Sequence, residues 1–471
     1  MPSPSKATDL TQGPVGRTLL VFALPVLASN ILQSLNGSIN SIWVGRYLGP
    51  AALTATSNAN IILFFLLGSM FGVGMAATIL VGQAMGAKDI VQAKRVFGTS
   101  ATFFTAISAL VAGVGYLITP AILRAMHTPP DAYELAISYL RVIFVALPSM
   151  YALTFLMVVL RGAGDSMTPF FFMILSVVLD IGLNPLFIFG WGPVPRMGIA
   201  GAALATFCAQ TLCLIAFVIY LYRRKHFLCL HTHELHYLKP NFTILRALLL
   251  KGLPMGMQMA VMTTSAIALI SMVNGYGSKT TAAYGVATQI WSYVQMPAFA
   301  IGAGISAMVA QCVGAKRWDR IPAITWSGIT LNIILTGTPA ALILLFSGQV
   351  MGLFLPGGNE TLAIGQHINS IAIWSFLLFG ITMVLFGVVR SMGAVMAPLV
   401  ILFLALWVIR IPFAKALTPY LGADAIWWSF PLGSSIACLL AIVYYRLGTW
   451  KKAHMLEKGS VVDPQPVAVI E

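Results

Sequence analysis

The sequence predicts an all-α integral membrane protein with twelve transmembrane helices in two pseudo-symmetric six-helix bundles. Three observations lead to this prediction. Hydrophobic residues make up 59% of the 471 residues and charged residues only 8%, whereas soluble domains carry about 25% charged residues. The apolar residues are gathered into twelve long runs, and the second half of the chain repeats the first. A soluble fold is therefore excluded.

Each of the twelve apolar runs is long enough to cross a bilayer, which requires about twenty apolar residues in an α-helix. The amino terminus, MPSPSKATDLTQGPVGR, lacks the layout and cleavage site of a secretory signal, so we expect the first run to be retained. The predicted spans are residues 18–44, 56–84, 97–119, 139–160, 169–190, 198–222, 249–274, 281–313, 322–346, 366–389, 397–417 and 425–446.

Positive charge is distributed unevenly over the loops between these spans. When the loops are assigned alternately to two sides, one side carries only Arg46, Arg124, Arg196, Lys279 and Lys415. The other side carries Lys6, Arg17, Lys88, Lys94, Arg95, Arg161, Arg223, Arg224, Lys225, Lys239, Arg246, Lys251, Lys316, Arg317, Arg320, Arg390, Arg446, Lys451, Lys452 and Lys458. Basic loops face the cytoplasm, so both termini are expected there. The net charge of +14 is then explained by topology and anionic lipid headgroups, and we expect no nucleic-acid partner.

The two halves of the chain share an internal repeat. The segment QAMGAK matches QCVGAK, and LRGAGDSMTP matches VRSMGAVMAP. The aligned pairs include Pro25 with Pro254, Gln83 with Gln311, and Arg161 with Arg390. Each half holds an even number of spans, so both halves enter the membrane in the same orientation. Parallel repeats of this kind are typical of secondary transporters.

This repeat predicts the organisation of the chain. The expected parts are a cytoplasmic N-terminal tail (1–17), an N-lobe of six spans (18–222), a cytoplasmic linker (223–248), a C-lobe of six spans (249–446) and a cytoplasmic tail (447–471). His231, His233 and His236 cluster in the linker near Cys229, but their spacing defines no ligand geometry, so we predict no metal site. Neither a phosphate-binding loop nor a nucleophile elbow occurs, so we expect neither an enzyme nor a cofactor.

Asp180 is the only acid predicted to lie deep inside a span. A carboxylate at mid-helix costs roughly 2.5–3.5 kcal/mol, so such residues usually face a cavity and mark an ion pathway. Asn184 follows one helical turn later on the same face, and Thr206 lies in the sixth span. The first span adds the polar residues Asn30, Gln33, Asn36, Ser38 and Asn40. These groups predict one polar chamber for a proton or a sodium ion, and the alternative is a structural acid held by its Asn neighbours.

The C-terminal half has no embedded acid, but Arg410 lies inside its eleventh span. This guanidinium either faces the substrate cavity or bonds the carbonyls that Pro412 leaves free. Tyr284, Gln289 and Trp291 could contact an organic cation by cation–π attraction. The alternative for these three residues is ordinary packing.

Several segments resemble the multidrug and toxic compound extrusion (MATE) family, in particular its DinF-like bacterial branch. They are LPVLASNILQSLNGSINSIWVGRYLGP, VGQAMGAKD, LRGAGDSMTP, LNPLFIFGWGPVPRMGIAGAALAT and RIPFAKAL. The resemblance covers nearly all of residues 17–450. It implies a two-lobe antiporter that exports cationic, amphipathic compounds in exchange for sodium ions or protons. It also implies that Pro25 bends the first helix, that Gln33 lies in the substrate cleft, and that Thr206 belongs to the ion site.

The chain departs from the family pattern at its acids. The usual first-helix acid is replaced by Asn40, and the fifth-helix motif N-x-x-L-D-P reads DIGLNP, so acid and amide have exchanged places at Asp180 and Asn184. One carboxylate instead of two provides less negative charge for sodium, which favours protons as the coupling ion.

We therefore expect a proton- or sodium-driven antiporter in the bacterial inner membrane, acting as a monomer among membrane lipids. A flippase for lipids or lipid-linked oligosaccharides is one alternative, but it needs several cationic cleft residues and Arg410 is the only candidate. A non-transporting receptor or channel is the other alternative, and the paired halves with a lone titratable group argue against it.

Overall fold

The computed structural model describes residues 9–190, 195–352, 354 and 359–456, and the described chain is a bundle of long helices. The first six helices are α1 (Val15–Leu48), α2 (Pro50–Gly86), α3 (Ile90–Ala125), α4 (Pro130–Gly162), α5 (Met167–Phe189) and α6 (Gly198–Arg223). The remaining helices are α7 (Phe242–Asn274), α8 (Ser278–Gly314), α9 (Ile321–Leu345), α10 (Ser347–Gly352), α11 (Asn359–Ala372), α12 (Ser375–Ser391), α13 (Met396–Phe403), α14 (Ile411–Leu421) and α15 (Asp424–Leu447). A π-helix, Leu404–Arg410, joins α13 to α14, and short 3-10 helices are Thr232–Leu238, Trp318–Arg320 and Thr449–Lys452.

The number of membrane spans agrees with the prediction from hydropathy. Eleven of the described helices, counting Met396–Leu421 as one, are long and apolar enough to cross a bilayer. The twelfth span is the pair α11 and α12, which is bent by 42° at a short break. The prediction of twelve spans is therefore confirmed, although the tenth is broken where the sequence suggested one continuous helix.

The segment between α6 and α7 is shorter than the predicted linker and contains a 3-10 helix. Helix α7 begins at Phe242, so the last seven residues of the predicted linker are helical. The 3-10 helix in this segment packs against the start of α3, where Lys94 Nζ lies 2.6 Å from Glu234 Oε1. We call this end of the molecule, where α6 ends and α7 begins, the linker end.

The Lys94–Glu234 contact makes a testable contribution to the order of the linker. The hydrogen bond from Lys94 lowers the pKa of Glu234 below its ordinary value of 4.5. Because this pKa is lower in the folded protein, the contact stabilises the folded linker when the pH is above the ordinary pKa of the glutamate. The stabilisation is lost as the pH falls through the lowered pKa. We expect Lys94→Gln to speed chymotrypsin cleavage of the linker at pH 7, whereas Lys239→Gln, at an exposed lysine, should leave the cleavage rate unchanged. Equal cleavage rates for the two variants would contradict the assignment.

The first set of helices (α1–α6) and the second set (α7–α15) meet along α1 and α2 on one side and α7 and α8 on the other. In the described chain, the hydrogen bonds that join the two sets lie at the linker end. Gln83 donates to the carbonyl oxygen of Ser391 across 2.7 Å, and Gln311 donates to the carbonyl oxygen of Gly162 across 3.2 Å. Gln83 and Gln311 are repeat partners, and so are Gly162 and Ser391. The linker end is therefore closed by a pair of equivalent contacts that cross between the sets.

Candidate functional site

Asp180 is buried inside an apolar helix. It lies in α5, with 1% of its surface exposed, and Asn184 one turn later is fully buried. Helix α5 begins at the linker end, so Asp180 lies in the half of the membrane span that is farther from that end. An unpaired carboxylate in hydrocarbon has a large desolvation cost. The side chain of Asp180 therefore requires several polar partners.

Four polar side chains from three helices supply those partners. Asn36 and Asn40 of α1 each donate to Asp180 Oδ2, across 2.8 and 2.9 Å. Thr206 of α6 donates to Oδ1 across 3.1 Å. Asn184 donates to Asn40 Oδ1 across 2.6 Å and to the backbone oxygen of Asp180 across 2.8 Å. We call these five residues the polar chamber, and hydrogen bonds to a charged acceptor are among the strongest that a protein makes.

Two acceptor atoms of the polar chamber have no partner. The side-chain oxygens of Asn36 and Asn184 are buried and accept no hydrogen bond from any described residue. A buried carbonyl oxygen without a donor is unfavourable. These two oxygens, next to a carboxylate, could accept a hydrogen bond from a proton on Asp180 or contact a bound cation.

Tyr139 is a neighbour of the site that the sequence did not indicate. It lies in α4, is almost completely buried, and its phenol is close enough to interact with the charge of Asp180. A single tyrosine in an apolar span gives no signal of its own. Only the packing of α4 against α5 and α6 brings it to the acid.

The other predicted residues of α1 lie apart from the polar chamber. Gln33 is exposed and makes no hydrogen bond to a described residue of the chamber. Pro25 is buried within α1, and its carbonyl oxygen accepts a hydrogen bond from Ser29 across 2.8 Å. Because proline lacks an N–H, the backbone hydrogen bond to the residue one turn earlier is missing there. Pro25 is thus a weak point in α1, three turns before Asn36.

The second set of helices contains an aromatic cluster around Arg410. Tyr284 and Trp291 are both buried, and the guanidinium carbon of Arg410 lies 3.6 Å from the centre of the Phe430 ring. Phe430 in turn contacts Trp291, with ring centres 5.0 Å apart. Gln289, by contrast, is exposed. The structure therefore brings together Arg410, Tyr284 and Trp291, and it leaves Gln289 outside the cluster.

The linker histidines do not form a metal site within the described chain. No group of three or more His, Cys, Asp or Glu side chains in residues 9–190, 195–352, 354 and 359–456 is arranged to hold a metal ion. His233 lies beside Glu234, and the carboxylate of Glu234 is already occupied by Lys94.

Comparison with known proteins identifies the family. The MatE family model matches residues 25–186 and again residues 254–415, so each match begins at one member of the Pro25–Pro254 repeat pair. The chain belongs to the MATE family. MATE proteins are membrane transporters and not enzymes, as the sequence resemblance implied.

Curated relatives in this family are similar over nearly their whole length. The "Probable multidrug resistance protein YoeA" of Bacillus subtilis is 38% identical over 93% of this chain and 95% of its own length. The "Probable multidrug resistance protein YpnP" of the same organism is 31% identical over 95% of this chain and 98% of its own length. This MATE protein is thus similar to bacterial proteins named for multidrug resistance.

Solved MATE structures share the fold. A structure titled as the outward-facing conformation of a multidrug resistance MATE family transporter superimposes with a TM-score of 0.87, over 96% of this chain and all of the other. The sequence identity is only 20%, so this similarity concerns the fold alone. The predicted all-α membrane fold of the MATE type is confirmed.

Proposed function

We propose that this MATE protein is a cation-coupled antiporter that exports small organic cations and amphipathic drugs. The observation that carries the proposal is the carboxylate of Asp180, buried in the membrane span and held by donors from α1 and α6. A coupling site requires a group that binds and releases the ion of the gradient. A buried acid meets this requirement because it can be either charged or neutral.

Asp180, Asn40, Asn184 and Thr206 are proposed to take up the coupling ion. Protonation of Asp180 would replace an acceptor by a donor, and the new O–H would compete with the two amide groups that donate to Oδ2. The side chain of Asn36 can turn over, because its own oxygen has no partner, and it would then accept this hydrogen bond. The oxygen of Asn40 is already occupied by Asn184. Protonation would therefore change the contact between α5 and α1 mainly at Asn36.

The movement of α1 would couple this local change to transport. Pro25 weakens α1 between the polar chamber and the linker end. A change in the hydrogen bonds that Asn36 and Asn40 make to Asp180 can therefore bend the helix at Pro25. The inter-set contacts at the linker end support a closed state on that side. Alternating access would require these contacts to open while the opposite end closes.

The proton is our proposed coupling ion, because one carboxylate offers little negative charge to a sodium ion. The unpaired oxygens of Asn36 and Asn184 favour sodium as the second candidate, since amide oxygens are suitable sodium ligands. Substrate-induced pH changes in sodium-free proteoliposomes would decide between the two. Export that stops without sodium, and persists with a protonophore, would contradict proton coupling.

Replacement of Thr206 offers a further distinction between the ions. Hydrogen bonds to charged groups contribute about 1.5–3 kcal/mol, so Thr206→Val should change the half-saturating ion concentration by about tenfold or more. Loss of this donor disfavours the bare carboxylate, so the half-saturating proton concentration should fall. If sodium is the ion, loss of a possible ligand should raise the half-saturating sodium concentration. Thr211→Val, on the same helix and away from Asp180, is the control.

The proposal also includes the orientation and the assembly of the protein. Positive charge in the loops at the linker end supports a cytoplasmic location for both termini in a bacterial inner membrane. The transporting unit is proposed to be a monomer surrounded by lipids. A lipid flippase would need several cationic groups in the cleft, and a receptor or channel would not need paired halves. Drug accumulation with and without a protonophore would separate the antiporter from these alternatives.

A further inference from the structure

Arg410 is a charged side chain that the proposed coupling mechanism does not use. It ends the π-helix Leu404–Arg410, and π-helical turns occur preferentially at functional sites. Its guanidinium is stacked on the Phe430 ring, with 3.6 Å between the guanidinium carbon and the ring centre. Its aliphatic part lies against α15, where a Cβ at Gly433 would come 3.2 Å from Arg410 Cδ. The side chain is therefore held in one place.

The guanidinium has buried donors without acceptors. Both Nε and Nη2 of Arg410 are buried and donate to no described residue, so the carbonyls freed by Pro412 are not its partners. The described acids of the second helix set are paired with other residues, and Asp319 contacts Arg317. Asp424 contacts His367 across 2.9 Å, and Glu360 contacts Lys279. A guanidinium normally uses its planar set of donors to hold a carboxylate or a phosphate.

A second unpaired donor lies on the same aromatic cluster. Asn369 is fully buried, and its side-chain oxygen accepts a hydrogen bond from the Trp291 indole across 2.7 Å. Its Nδ2 group has no acceptor among the described residues. Trp291 contacts Phe430, and Phe430 carries Arg410. Thus Arg410 and Asn369, at the same aromatic cluster, both have buried N–H groups without an acceptor. An anionic or carbonyl oxygen would satisfy either of them.

From this geometry we propose that the aromatic cluster around Arg410 is a binding site for a singly charged anion, with an organic carboxylate on an apolar body as its main ligand. The guanidinium supplies the charge, Asn369 supplies a further donor, and the rings of Trp291 and Phe430 supply an apolar surface for the rest of the ligand. A free organic cation is disfavoured in this half, because Arg410 would repel it and no unengaged described acid offsets the repulsion.

The site deepens the proposed function by assigning the carboxylate of an acidic or zwitterionic amphipathic compound to a defined place in the second helix set. In a zwitterion, the carboxylate would bind at Arg410 while the cationic group remained free to face the first helix set. The step from binding to export rests on the proposed function, whereas the binding itself does not. A binding measurement on purified protein therefore separates the two.

The test compares three ligands of similar size on the purified full-length protein in detergent, in a low-salt buffer that contains neither chloride nor a carboxylate. Benzoate is an anion, benzamide is neutral and benzylamine is a cation, and their binding is measured by isothermal titration calorimetry. We expect benzoate to bind at least tenfold more tightly than the other two. Chloride is added as a competitor, and stronger binding by chloride than by benzoate would make a free inorganic anion the ligand in place of an organic carboxylate.

Variants connect the binding to Arg410. Arg410→Gln should abolish the preference for benzoate, and Lys415→Gln, which removes one positive charge from the exposed face of α14, should preserve it. Arg410→Lys keeps the charge and serves as the conservative variant if Arg410→Gln does not fold. It should retain a weakened preference for benzoate. Equal affinity for the three ligands in the unmodified protein, or an unchanged preference in folded Arg410→Gln, would overturn the proposal.

Discussion

Asp180→Asn is expected to abolish gradient-driven export and to leave expression and folding intact. Asparagine has nearly the same shape, so it fits the space between α1, α5 and α6. It cannot take a proton, however, and in either orientation of the amide an Nδ2 donor replaces one of the two acceptor oxygens of the carboxylate. The charge change that we propose to drive the transport cycle would be absent.

This prediction can be measured in proteoliposomes with an imposed ion gradient. Export by Asp180→Asn should fall to the level of liposomes without protein, while binding of substrate to the purified variant should persist. A mobility in size-exclusion chromatography equal to that of the unmodified protein would show that the variant is folded. Unchanged export by the folded variant would reject Asp180 as the coupling residue.

A matched rescue makes the test stricter. The double variant Asp180→Asn with Asn184→Asp restores the family order of amide and acid, and it keeps a single carboxylate in the polar chamber. Because Asn184 already contacts Asn40 and the backbone of Asp180, an acid at position 184 lies within reach of the same donors. We expect the double variant to recover a substantial part of the coupled export that the single variant loses.

The sequence predicted most of the fold because membrane helices are selected by hydropathy. Where it failed, the local signal was absent or weak. The break between α11 and α12 falls near Trp374, without the glycine or proline that usually marks a kink. The π-helix before Pro412 had only the proline as a hint. Such local departures arise from packing between helices that are distant in sequence.

The candidate site was predictable where its residues lie on one helix. Asp180 and Asn184 are one turn apart, so their common face follows from helical geometry. Asn40 and Thr206 were indicated by their place among the polar residues of the first and sixth spans and by the family resemblance, and the structure brings both to the acid. Tyr139 and Asn369 were missed, because neither an isolated tyrosine nor an isolated asparagine in an apolar span reveals which helix it will meet.

The second large effect is expected at two glycines that allow the linker end to close. A Cβ at Gly86 would lie 1.9 Å from the backbone oxygen of Gln311, and a Cβ at Gly314 would lie 1.9 Å from the backbone oxygen of Gln83. The two glycines are repeat partners, so each helix set presses its own glycine against the backbone of the other set. Real Cβ atoms cannot approach an oxygen so closely, and both obstacles are rigid backbone.

Gly86→Ala and Gly314→Ala should therefore prevent full closure at this end. Overpacking costs about 1–3 kcal/mol per site, which would shift the balance between the two states of the transporter by about 5- to 150-fold. Gly285→Ala is the matched control on α8, because a Cβ at Gly285 meets no atom within 4 Å. Export should fall strongly for the first two variants and remain normal for the control.

The cause can be observed directly as a distance between the two helix sets. Spin labels at cysteines replacing Lys88 and Lys316, in a protein whose native cysteines are removed, would report the separation at the linker end. These two lysines line one cavity between the sets. Both alanine variants should lengthen the label distance relative to the control, because closure depends on the two glycine contacts. A loss of export without a longer distance would mean that the glycines act by another route, and unchanged export would show that the backbone contacts are not required for closure.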